Sequence, residues 1–402
     1  MMNEATIRFV TEHREDDVRA LALKERGNGE VDLPWALDQI QGWQTARRKL
    51  PSWAATQGII YPPHLSMEQC SSERTAIYKC GIVERLPEKC RETLIDLTGG
   101  FGVDFAFLAK NFGQAFYVER QAHLCEIASH NCELLGLNHA TVINADAEGV
   151  MNAPSHYFRN VHPASTLIYL DPARRDNNSN RTYAIADCTP NVLELLDPLF
   201  RAARYILIKL SPMLDWHKAV SDLGEHVAEV HIVSVANECK ELLILLSADH
   251  TGAPDIHCVN DDQRLIYPHH GEQCPLGIAD DERANFLYEP NASIMKAGCF
   301  GILTQHYPVK ALSADSHLFV SSNAVDGFPG RRFVITGVTT MNKKELSRAM
   351  NGITRANVAT RNFPMTAQQL RLRLRLQDGG DWYIFGTTRA DGQRVVYICK
   401  KG

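Results

Sequence analysis

Four acidic residues recur in the first half of the chain, each where an apolar segment has just ended. They are Asp96, Glu119, Asp146 and Asp171. A glycine-rich turn, Thr98-Gly-Gly-Phe-Gly102, follows the first of them. Glycines let a ligand approach the backbone where a Cβ would collide, and carboxylates attract cations and accept hydrogen bonds from hydroxyl and amino groups. The pattern therefore indicates a site for a cationic ligand that carries a sugar and a base.

Each acid suggests a different contact. Asp96 is expected to face a cationic part of the ligand, because a carboxylate would repel a pyrophosphate. Glu119 can accept both hydroxyls of a ribose, and each such charge-assisted bond is worth about 1.5–3 kcal/mol. Asp146 is placed to meet an adenine amino group. The dinucleotide pattern Gly-x-Gly-x-x-Gly fails because Phe105 occupies the third glycine position, and the phosphate-loop lysine pattern is absent.

The elements that must position these acids have the pattern of a doubly wound sheet. Strands are predicted over 94–96, 114–118, 140–144, 165–170 and 205–210. A helix is predicted from Val103 to Phe112, which completes a strand, glycine turn and helix typical of a nucleotide-binding corner. Two further strands, Glu229 to Val235 and Glu241 to Ser247, are separated by Asn237 to Lys240 and predict an antiparallel hairpin at one edge. Ligands bind at the carboxyl ends of strands in such sheets.

This ordered set resembles class I S-adenosylmethionine-dependent methyltransferases. Asp96-x-x-x-Gly100-x-Gly102, Glu119, Asp146 and Asp171-Pro172 match their motifs in order and spacing. The resemblance implies an α/β sheet of seven strands, the last antiparallel, and S-adenosyl-L-methionine as the cofactor. The expected cofactor contacts are Asp96, Thr98, Gly99, Gly100, Gly102, Glu119, Asp146 and Ala147, with Gln69, Ser71 and Ser72 from the N-terminal side. A generic nucleotide-binding domain with incidental acids is the alternative.

The segment after the fourth strand departs from the family. Asp171-Pro172 resembles the fourth motif, Asp/Asn-Pro-Pro-aromatic, which holds a target amine, but Ala173 and Arg174 take its last two places. The missing aromatic removes the usual stacking lid over a base, although an arginine can stack on a base or pair with a phosphate. Asp171, Pro172 and Arg174 are the expected catalytic residues, and the methylated atom stays open. The alternative is that Pro172 and Arg174 only shape the loop.

Composition places the chain among ordinary globular proteins. It has 402 residues, 45% hydrophobic and 22% charged, which predicts two to four domains. Apolar runs of about 18 residues are absent, so no membrane span is expected. The polar first residues do not suggest a signal peptide, and eleven cysteines without a Cys-x-x-Cys pair indicate reduced thiols in a cytoplasm. The histidines show no ligand spacing, and no metal is expected.

Charge is distributed unevenly. Residues 327–402 hold 14 lysines and arginines against 4 acids, a net of +10, which leaves about −15 for the rest of the chain. A basic terminal region suggests a polyanionic partner, with an ordinary solvated face as the alternative. The candidate substrate contacts are Arg175, Lys209, Arg371, Arg373 and Arg375. The last three alternate with leucines, so they would share a face on a strand, whereas on a helix Arg373 would point away from the other two.

The expected domain order is a helical region over 1–90, a methyltransferase domain over 91–250, a small domain over 264–330, which the family resemblance implies is ferredoxin-like, and an α+β domain over 331–402. Helices are predicted from Val10 to Ala20 and from Trp35 to Leu50, and Ser71 or Ser72 can cap another that begins at Glu73. A linker is predicted from Asp249 to Asp262. The last domain is predicted to contain strands, two helices and a final hairpin.

Several C-terminal segments sharpen the resemblance. Phe328-Pro-Gly-Arg331 and Asn362-Phe-Pro, together with Asp378-Gly-Gly-Asp, are similar to bacterial methyltransferases that carry a THUMP-like C-terminal domain. True THUMP domains bind RNA, so the resemblance implies methyl transfer to a nucleic acid, with RNA as the expected partner. Two alternatives stay open: a non-catalytic RNA-binding module on a retained cofactor-binding scaffold, and methylation of a protein or small molecule.

Overall fold

The computed structural model describes residues 3–24, 29–174, 184–271, 274–279 and 284–402. The chain divides into two compact units. The first comprises Met1–Ala228 and Leu242–Gly252, and the second comprises Glu229–Glu241 and Ala253–Gly402. Within the described ranges, no helix has the length and apolar character that crossing a membrane requires.

The described part of the first unit contains twelve α-helices, and the first six of them precede the sheet. They are α1 (Glu4–His13), α2 (Val18–Lys24), α3 (Leu33–Lys49), α4 (Pro51–Ala55), α5 (His64–Gln69), α6 (Glu73–Glu84), α7 (Val103–Leu108), α8 (Ala122–Leu134), α9 (Ala147–Asn152), α10 (Pro154–Tyr157), α11 (Val192–Ala202) and α12 (Trp216–Leu223). The single helix predicted from Val10 to Ala20 is wrong, because the Asp17 carboxylate accepts the Ala20 amide at 2.8 Å and starts a second helix. The helix predicted near Trp35 to Leu50 is confirmed as α3.

The first nine strands are β1 (Thr93–Asp96), β2 (Gln114–Glu119), β3 (Ala140–Asn144), β4 (Thr166–Leu170), β5 (Ala173–Arg174), β6 (Cys188–Thr189), β7 (Tyr205–Leu210), β8 (Val227–Val235) and β9 (Glu238–Ser247). Strands β7, β4, β1, β2 and β3 pair in that order, all parallel. Strand β9 pairs antiparallel with β7, which confirms the predicted last strand. Strands β1 and β4 are buried along their whole length, as expected of a parallel sheet covered on both faces.

The hairpin between β8 and β9 is tighter than predicted. Ala236 and Asn237 form a two-residue turn with φ of 51° and 62°, the left-handed conformation that suits the twist of paired strands. The predicted linker from Asp249 to Asp262 is also wrong. Strand β10 (Asp255–Asn260) pairs parallel with β8, and β11 (Gln263–Pro268) pairs antiparallel with β10. Among the described residues the sheet therefore has nine strands, so the predicted number of seven and the predicted edge position of the hairpin are wrong. Buried apolar side chains along β10 outweigh the polar residues at its ends.

The rest of the second unit is a seven-stranded sheet with four helices. Its elements are β12 (Phe286–Pro290), α13 (Ala292–Ala297), α14 (Phe300–His306), β13 (Lys310–Ala311), β14 (Phe319–Ser321), β15 (Gly330–Thr340), α15 (Lys343–Ala349), β16 (Arg355–Arg361), α16 (Ala367–Leu374), β17 (Gln377–Thr388) and β18 (Arg394–Lys401). The strand order is β13-β14-β12-β15-β18-β17-β16. Successive residues of β18 enter two different apolar clusters, Tyr397 one and Ile398 the other, so this strand is buried on both faces.

Candidate cofactor and catalytic site

The glycine turn joins β1 to the short helix α7, which ends at Leu108 rather than at the predicted Phe112. A Cβ at Gly99 would lie 2.2 Å from the Tyr117 ring, so this position needs glycine. Gly100 and Gly102 have φ of 56° and 83°, in the left-handed region. At Gly100 the nearest atom to a built Cβ is a backbone oxygen at 3.8 Å. This part of the turn is therefore open to a ligand.

Glu119 ends β2 and is bound to the turn through its carboxylate. Its Oε2 accepts a hydrogen bond from the Gly100 amide at 3.0 Å, and its Oε1 accepts one from the Gln121 amide at 2.9 Å. The residue is 8% exposed. An ionised carboxylate offers about four acceptor positions, so two backbone donors leave capacity for ribose hydroxyls. The two amides orient this acid before any ligand arrives.

Asp96 ends β1 and is almost completely buried. Its Oδ1 accepts a hydrogen bond from the Thr98 amide at 2.9 Å. Burial raises the pKa of Asp96 well above its usual value, and the nearby acids Asp104, Asp171 and Glu119 add to this rise, while the Thr98 amide opposes it. A bound cation would favour the ionised carboxylate. The arrangement therefore suits a positively charged ligand group.

Asp146 follows β3 and caps α9. Its Oδ1 accepts the Gly149 amide at 2.6 Å, and the buried Ala147 is the first residue of the helix. The end of β3 is held beside β2, because the Asn144 side chain donates to the Glu119 carbonyl at 2.9 Å. The strand ends that carry Glu119 and Asp146 are therefore neighbours. Whether Asp146 also contacts a base stays a prediction.

Asp171 lies directly after β4 and connects three strand ends. Its amide donates to Thr98 Oγ1 at 2.6 Å, which joins it to the glycine turn. Its Oδ2 accepts a hydrogen bond from Lys209 Nζ at 2.5 Å. Lys209 belongs to β7, and its Nζ is also 3.6 Å from Oδ2 of Asp104. The predicted residues Asp171, Lys209 and Thr98 thus come together around an acid that the sequence analysis did not select.

That acid, Asp104, is the centre of a buried polar network. Lys79 Nζ lies 3.1 Å from its Oδ1, and the Lys79 side chain is 0% exposed. Its Oδ2 accepts hydrogen bonds from Ser71 Oγ and Tyr169 Oη, both at 2.7 Å. Burial alone would raise the pKa of Asp104, but Lys79 and then Lys209 outweigh it and hold that pKa below its usual range.

A sequence signal for this network existed. Lys79 lies three residues after Ala76 and three before Ile82, all on the buried face of α6. A lysine on an apolar helical face is almost never buried without a partner. The sequence could therefore have indicated a buried acid nearby, but not which one.

The N-terminal candidates for the cofactor pocket have different environments. Ser72 caps α6 by accepting the Thr75 amide at 3.3 Å, and Ser71 is engaged by Asp104 and by Lys79. Gln69 is exposed at the end of α5. A cofactor contact by any of the three stays a prediction.

The candidates around the fourth motif are only partly described. Pro172 is buried, and Ala173–Arg174 form β5, which pairs with β6. Arg175 lies outside the described residues.

The three C-terminal arginines do not line one face of a strand, so that alternative is wrong. Arg371 and Arg373 lie on α16, and Arg375 follows it with φ of 57°. This left-handed residue ends the helix, so Arg375 does not continue the face of Arg371 either. Arg371 Nη1 lies 2.6 Å from Asp378 Oδ1.

Comparisons with known proteins are consistent with the fold and the order of domains. Residues 286–329 match a family described as a ferredoxin-like domain, and residues 330–401 match one described as THUMP domain-like. The solved structure of a protein from Porphyromonas gingivalis W83, assigned as a methyltransferase, shares 30% identity with this chain, covers 100% of both chains and has a TM-score of 0.85. The sequence matches no curated protein at a significant level.

Other solved structures are more distant. An rRNA methylase from Streptococcus thermophilus has 17% identity, covers 40% of this chain and 88% of its own, and has a TM-score of 0.29. A tRNA methyltransferase from M. jannaschii has 14% identity, covers 44% and 50%, and also has a TM-score of 0.29.

A parallel sheet with an antiparallel last strand, a glycine turn after β1 and an acid at each of four strand ends defines the class I methyltransferase fold. The full-length match at 30% identity and the two C-terminal domain matches narrow this class. The chain belongs to the family of class I methyltransferases that carry ferredoxin-like and THUMP-like C-terminal domains.

Proposed function

We propose that this protein transfers a methyl group from S-adenosylmethionine to a nucleic acid, and that the acceptor is RNA. One observation carries the proposal: a buried carboxylate with a raised pKa, Asp96, lies beside an open glycine turn to which the ribose-binding candidate Glu119 is already bound. A cationic ligand with an adenosine moiety satisfies both features. A nucleotide ligand satisfies only the second, because its phosphates would oppose ionisation of Asp96 and raise that pKa further.

Each chemical group of this cofactor has a candidate partner among these residues. S-adenosylmethionine, when bound, supplies a methyl group on a positively charged sulfur. Asp96 would favour the cationic part, and Glu119 would accept the ribose hydroxyls with the capacity that Gly100 and Gln121 leave. Asp146 would accept the adenine amino group. Gly100 would let the cofactor approach the backbone, as the space around a built Cβ allows.

Asp171 would hold the methyl acceptor. Lys209 occupies its Oδ2, which leaves Oδ1 to accept a hydrogen bond from an amine of the acceptor. Lys209 also fixes the carboxylate, and the Thr98 hydroxyl fixes the backbone. Transfer from a sulfonium is a direct displacement, so positioning of this kind is the main contribution that the protein makes.

RNA as the acceptor is supported by the second unit. Residues 327–402 carry a net charge of +10, and residues 330–401 match the THUMP domain-like family. A cavity of about 430 Å³ is lined by basic and aromatic side chains, among them Arg331, Arg332, Tyr383 and Lys401. Within the described residues, the buried Nε of Arg332 has no hydrogen-bond partner. Guanidinium donors beside an aromatic ring suit a phosphate and an unpaired base.

We also infer a reducing compartment such as the cytoplasm. All eleven cysteines fall within the described residues, and none forms a disulfide. Several are buried, where a thiol behaves as a small apolar side chain.

The test is transfer of a labelled methyl group to total RNA from cells that lack the gene. We expect incorporation by the wild type, with the modified nucleoside identified by mass spectrometry. Asp171→Asn should reduce incorporation at least about tenfold, as expected from one charge-assisted bond, while calorimetric binding of S-adenosylmethionine stays within about twofold. The matched control is Asp222→Asn, which removes a partly exposed acid that is also paired with a lysine, Lys218, at 2.9 Å.

The outcomes separate the rival functions. Cofactor and RNA binding without incorporation would favour a non-catalytic RNA-binding module. Label that appears in a protein or small-molecule fraction and not in RNA would overturn the RNA acceptor. RNA binding should also weaken with salt, with a logarithmic slope of about −0.7 per neutralised phosphate on single strands.

A further inference from the structure

Strands β8 and β10 of the second unit bring two histidines and a glutamate together. Glu229 and His231 are two residues apart on β8 and therefore share a face. His257 on β10 is the direct cross-strand neighbour of His231. Glu229 Oε2 lies 2.8 Å from His231 Nε2 and 3.7 Å from His257 Nε2. Within the described ranges, one potential ligand atom from each residue lies within 4.8 Å of the other two.

We propose that Glu229, His231 and His257 bind one divalent first-row transition-metal ion, for which Zn²⁺ is the best probe. Zinc binds nitrogen and oxygen ligands at about 2.0–2.2 Å, and a tetrahedral arrangement then separates the ligand atoms by about 3.3 Å. The two nitrogen–oxygen distances, 2.8 and 3.7 Å, fall on either side of that value. Shifts of about half an ångström would therefore bring both nitrogen–oxygen distances to that value.

The environment of the three residues suits a bound ion. The His231 side chain is fully buried, the His257 side chain is 11% exposed and the Glu229 side chain is 24% exposed. Paired strands hold the two imidazoles, whose ring centres are 4.3 Å apart. The more exposed Glu229 leaves a path for entry, which a metal site requires.

The ion would replace the proton that now joins His231 Nε2 to the carboxylate. The imidazole would then carry its proton on Nδ1 and stay neutral, as a metal ligand must. Two imidazoles and one carboxylate form a donor set that leaves a fourth position for water or another ligand. The proposed site departs from the expectation of no metal, which rested on spacing along the chain.

Cysteine thiols of the same unit are the main competitors for zinc. Cys258 is hydrogen-bonded to Cys299. Cys258 directly follows His257 on β10, so its side chain points to the opposite face of the strand. Thiolate ligands and imidazole–carboxylate ligands give different visible and near-ultraviolet spectra with Co²⁺, because only thiolates add an intense charge-transfer band. The spectrum therefore tells the two sites apart.

The test uses the full-length protein after dialysis against a chelator. Calorimetry with Zn²⁺ should give one site per chain, and Co²⁺ should give a spectrum without the thiolate band. Single variants His231→Ala, His257→Ala and Glu229→Gln should each weaken Zn²⁺ binding by more than about 100-fold. Loss of a residue that only hydrogen-bonds to a metal ligand typically costs less than this. His270→Ala, which removes an exposed histidine of the same unit, should bind like the wild type.

Glu229→Gln guards against a variant that fails to fold, because the amide has the shape of the carboxylate and can still accept the hydrogen bond from His231. Its thermal unfolding without metal should match that of the wild type, whereas added Zn²⁺ should raise the unfolding temperature of the wild type alone. Absence of stoichiometric binding in the wild type would overturn the proposal. So would a thiolate band in the Co²⁺ spectrum, or binding that the three variants leave unchanged.

Discussion

Paired charged side chains have different environments in the two units. In the first unit Lys79 and Asp104 are buried, and Lys209 links this pair to Asp171 near the glycine turn. In the second unit Glu289 is also buried, but its partners Arg331 and Arg361 are 50% and 38% exposed.

The comparison indicates how burial changes what a charged side chain can do. Burial makes a charge depend on its partners, moves its pKa and fixes its geometry before a ligand binds. Exposed guanidinium groups instead keep contact with water and are suited to meet a large, flexible polyanion. This contrast supports the proposed preorganised cofactor site in the first unit and the proposed contact surface for RNA in the second.

The largest expected effect is at the buried pair. Asp104→Asn leaves Lys79 charged and buried without its counterion, which typically costs about 3–5 kcal/mol of unfolding free energy. Urea denaturation of the wild type and the variant measures this. A loss below about 1 kcal/mol would mean that burial does not distinguish the two units. Asp222→Asn, at an exposed pair with Lys218, should change stability by less than about 1 kcal/mol.

The same pair makes a prediction about pH. The pKa of Asp104 is lowered in the folded protein. Its contribution to stability is therefore present above its unfolded pKa of about 3.9 and is lost as the pH falls towards the lower folded value. The acid limb of the stability profile should become shallower in Asp104→Asn, as measured by urea denaturation between about pH 2 and pH 5.

Cofactor affinity should depend strongly on Glu119. Glu119→Ala removes the acceptor of the Gly100 amide and the proposed acceptor of the ribose hydroxyls, so binding of S-adenosylmethionine should weaken about tenfold or more. Calorimetry measures the affinity, and circular dichroism checks the fold. Glu133→Ala, at an exposed acid on α8, is the control. Unchanged affinity in Glu119→Ala would reject the role assigned to this acid.

A pair of glycine variants tests the shape of the turn. Gly99→Ala places a Cβ 2.2 Å from the buried Tyr117 ring and should destabilise the protein by about 1–3 kcal/mol. Gly81→Ala lies on α6, where a built Cβ meets nothing within 4 Å, and should stabilise by up to about 1 kcal/mol. Thermal unfolding of both variants measures the contrast. Equal effects would show that Tyr117 does not shape the turn.

Asp96 should make cofactor binding depend on pH. Its raised pKa means that the free protein holds a proton there at a pH where an ordinary carboxyl would be ionised. Binding of a cation favours the ionised form, so affinity should rise with pH, by up to about tenfold per unit, until the pH exceeds that pKa. Calorimetry across pH should show this slope for the wild type and a flat profile for Asp96→Asn.

The smallest expected effect is in the second unit. Arg371→Ala breaks an exposed pair with Asp378 and should change the unfolding free energy by less than about 1 kcal/mol. If its role is phosphate contact, RNA affinity should fall and the salt dependence should become shallower. A loss of unfolding free energy above about 2 kcal/mol would mean that Arg371 stabilises the fold as the buried pair of Lys79 and Asp104 does, which would contradict the contrast between the units.

Local patterns in the sequence predicted much of this molecule. Strands β3 and β7 have the predicted bounds, because their apolar periods and flanking turn residues act over a few positions. Where the pattern was misleading the prediction failed, since the polar residues at the ends of β10 suggested a linker. The Arg and Leu alternation left strand and helix open for the three arginines, and the segment is the predicted helix.

The sequence alone determined the order of strands and glycine turn, and with it the acid at each strand end, since these follow from neighbouring residues. Only the tertiary structure decided which distant side chains meet: Lys79 with Asp104, Lys209 with Asp171, and His231 with His257. The physical reason is that hydrophobic periodicity specifies which face of an element is buried but not its partner. Partners are chosen when whole faces pack, and the energies of buried charges exist only after that choice.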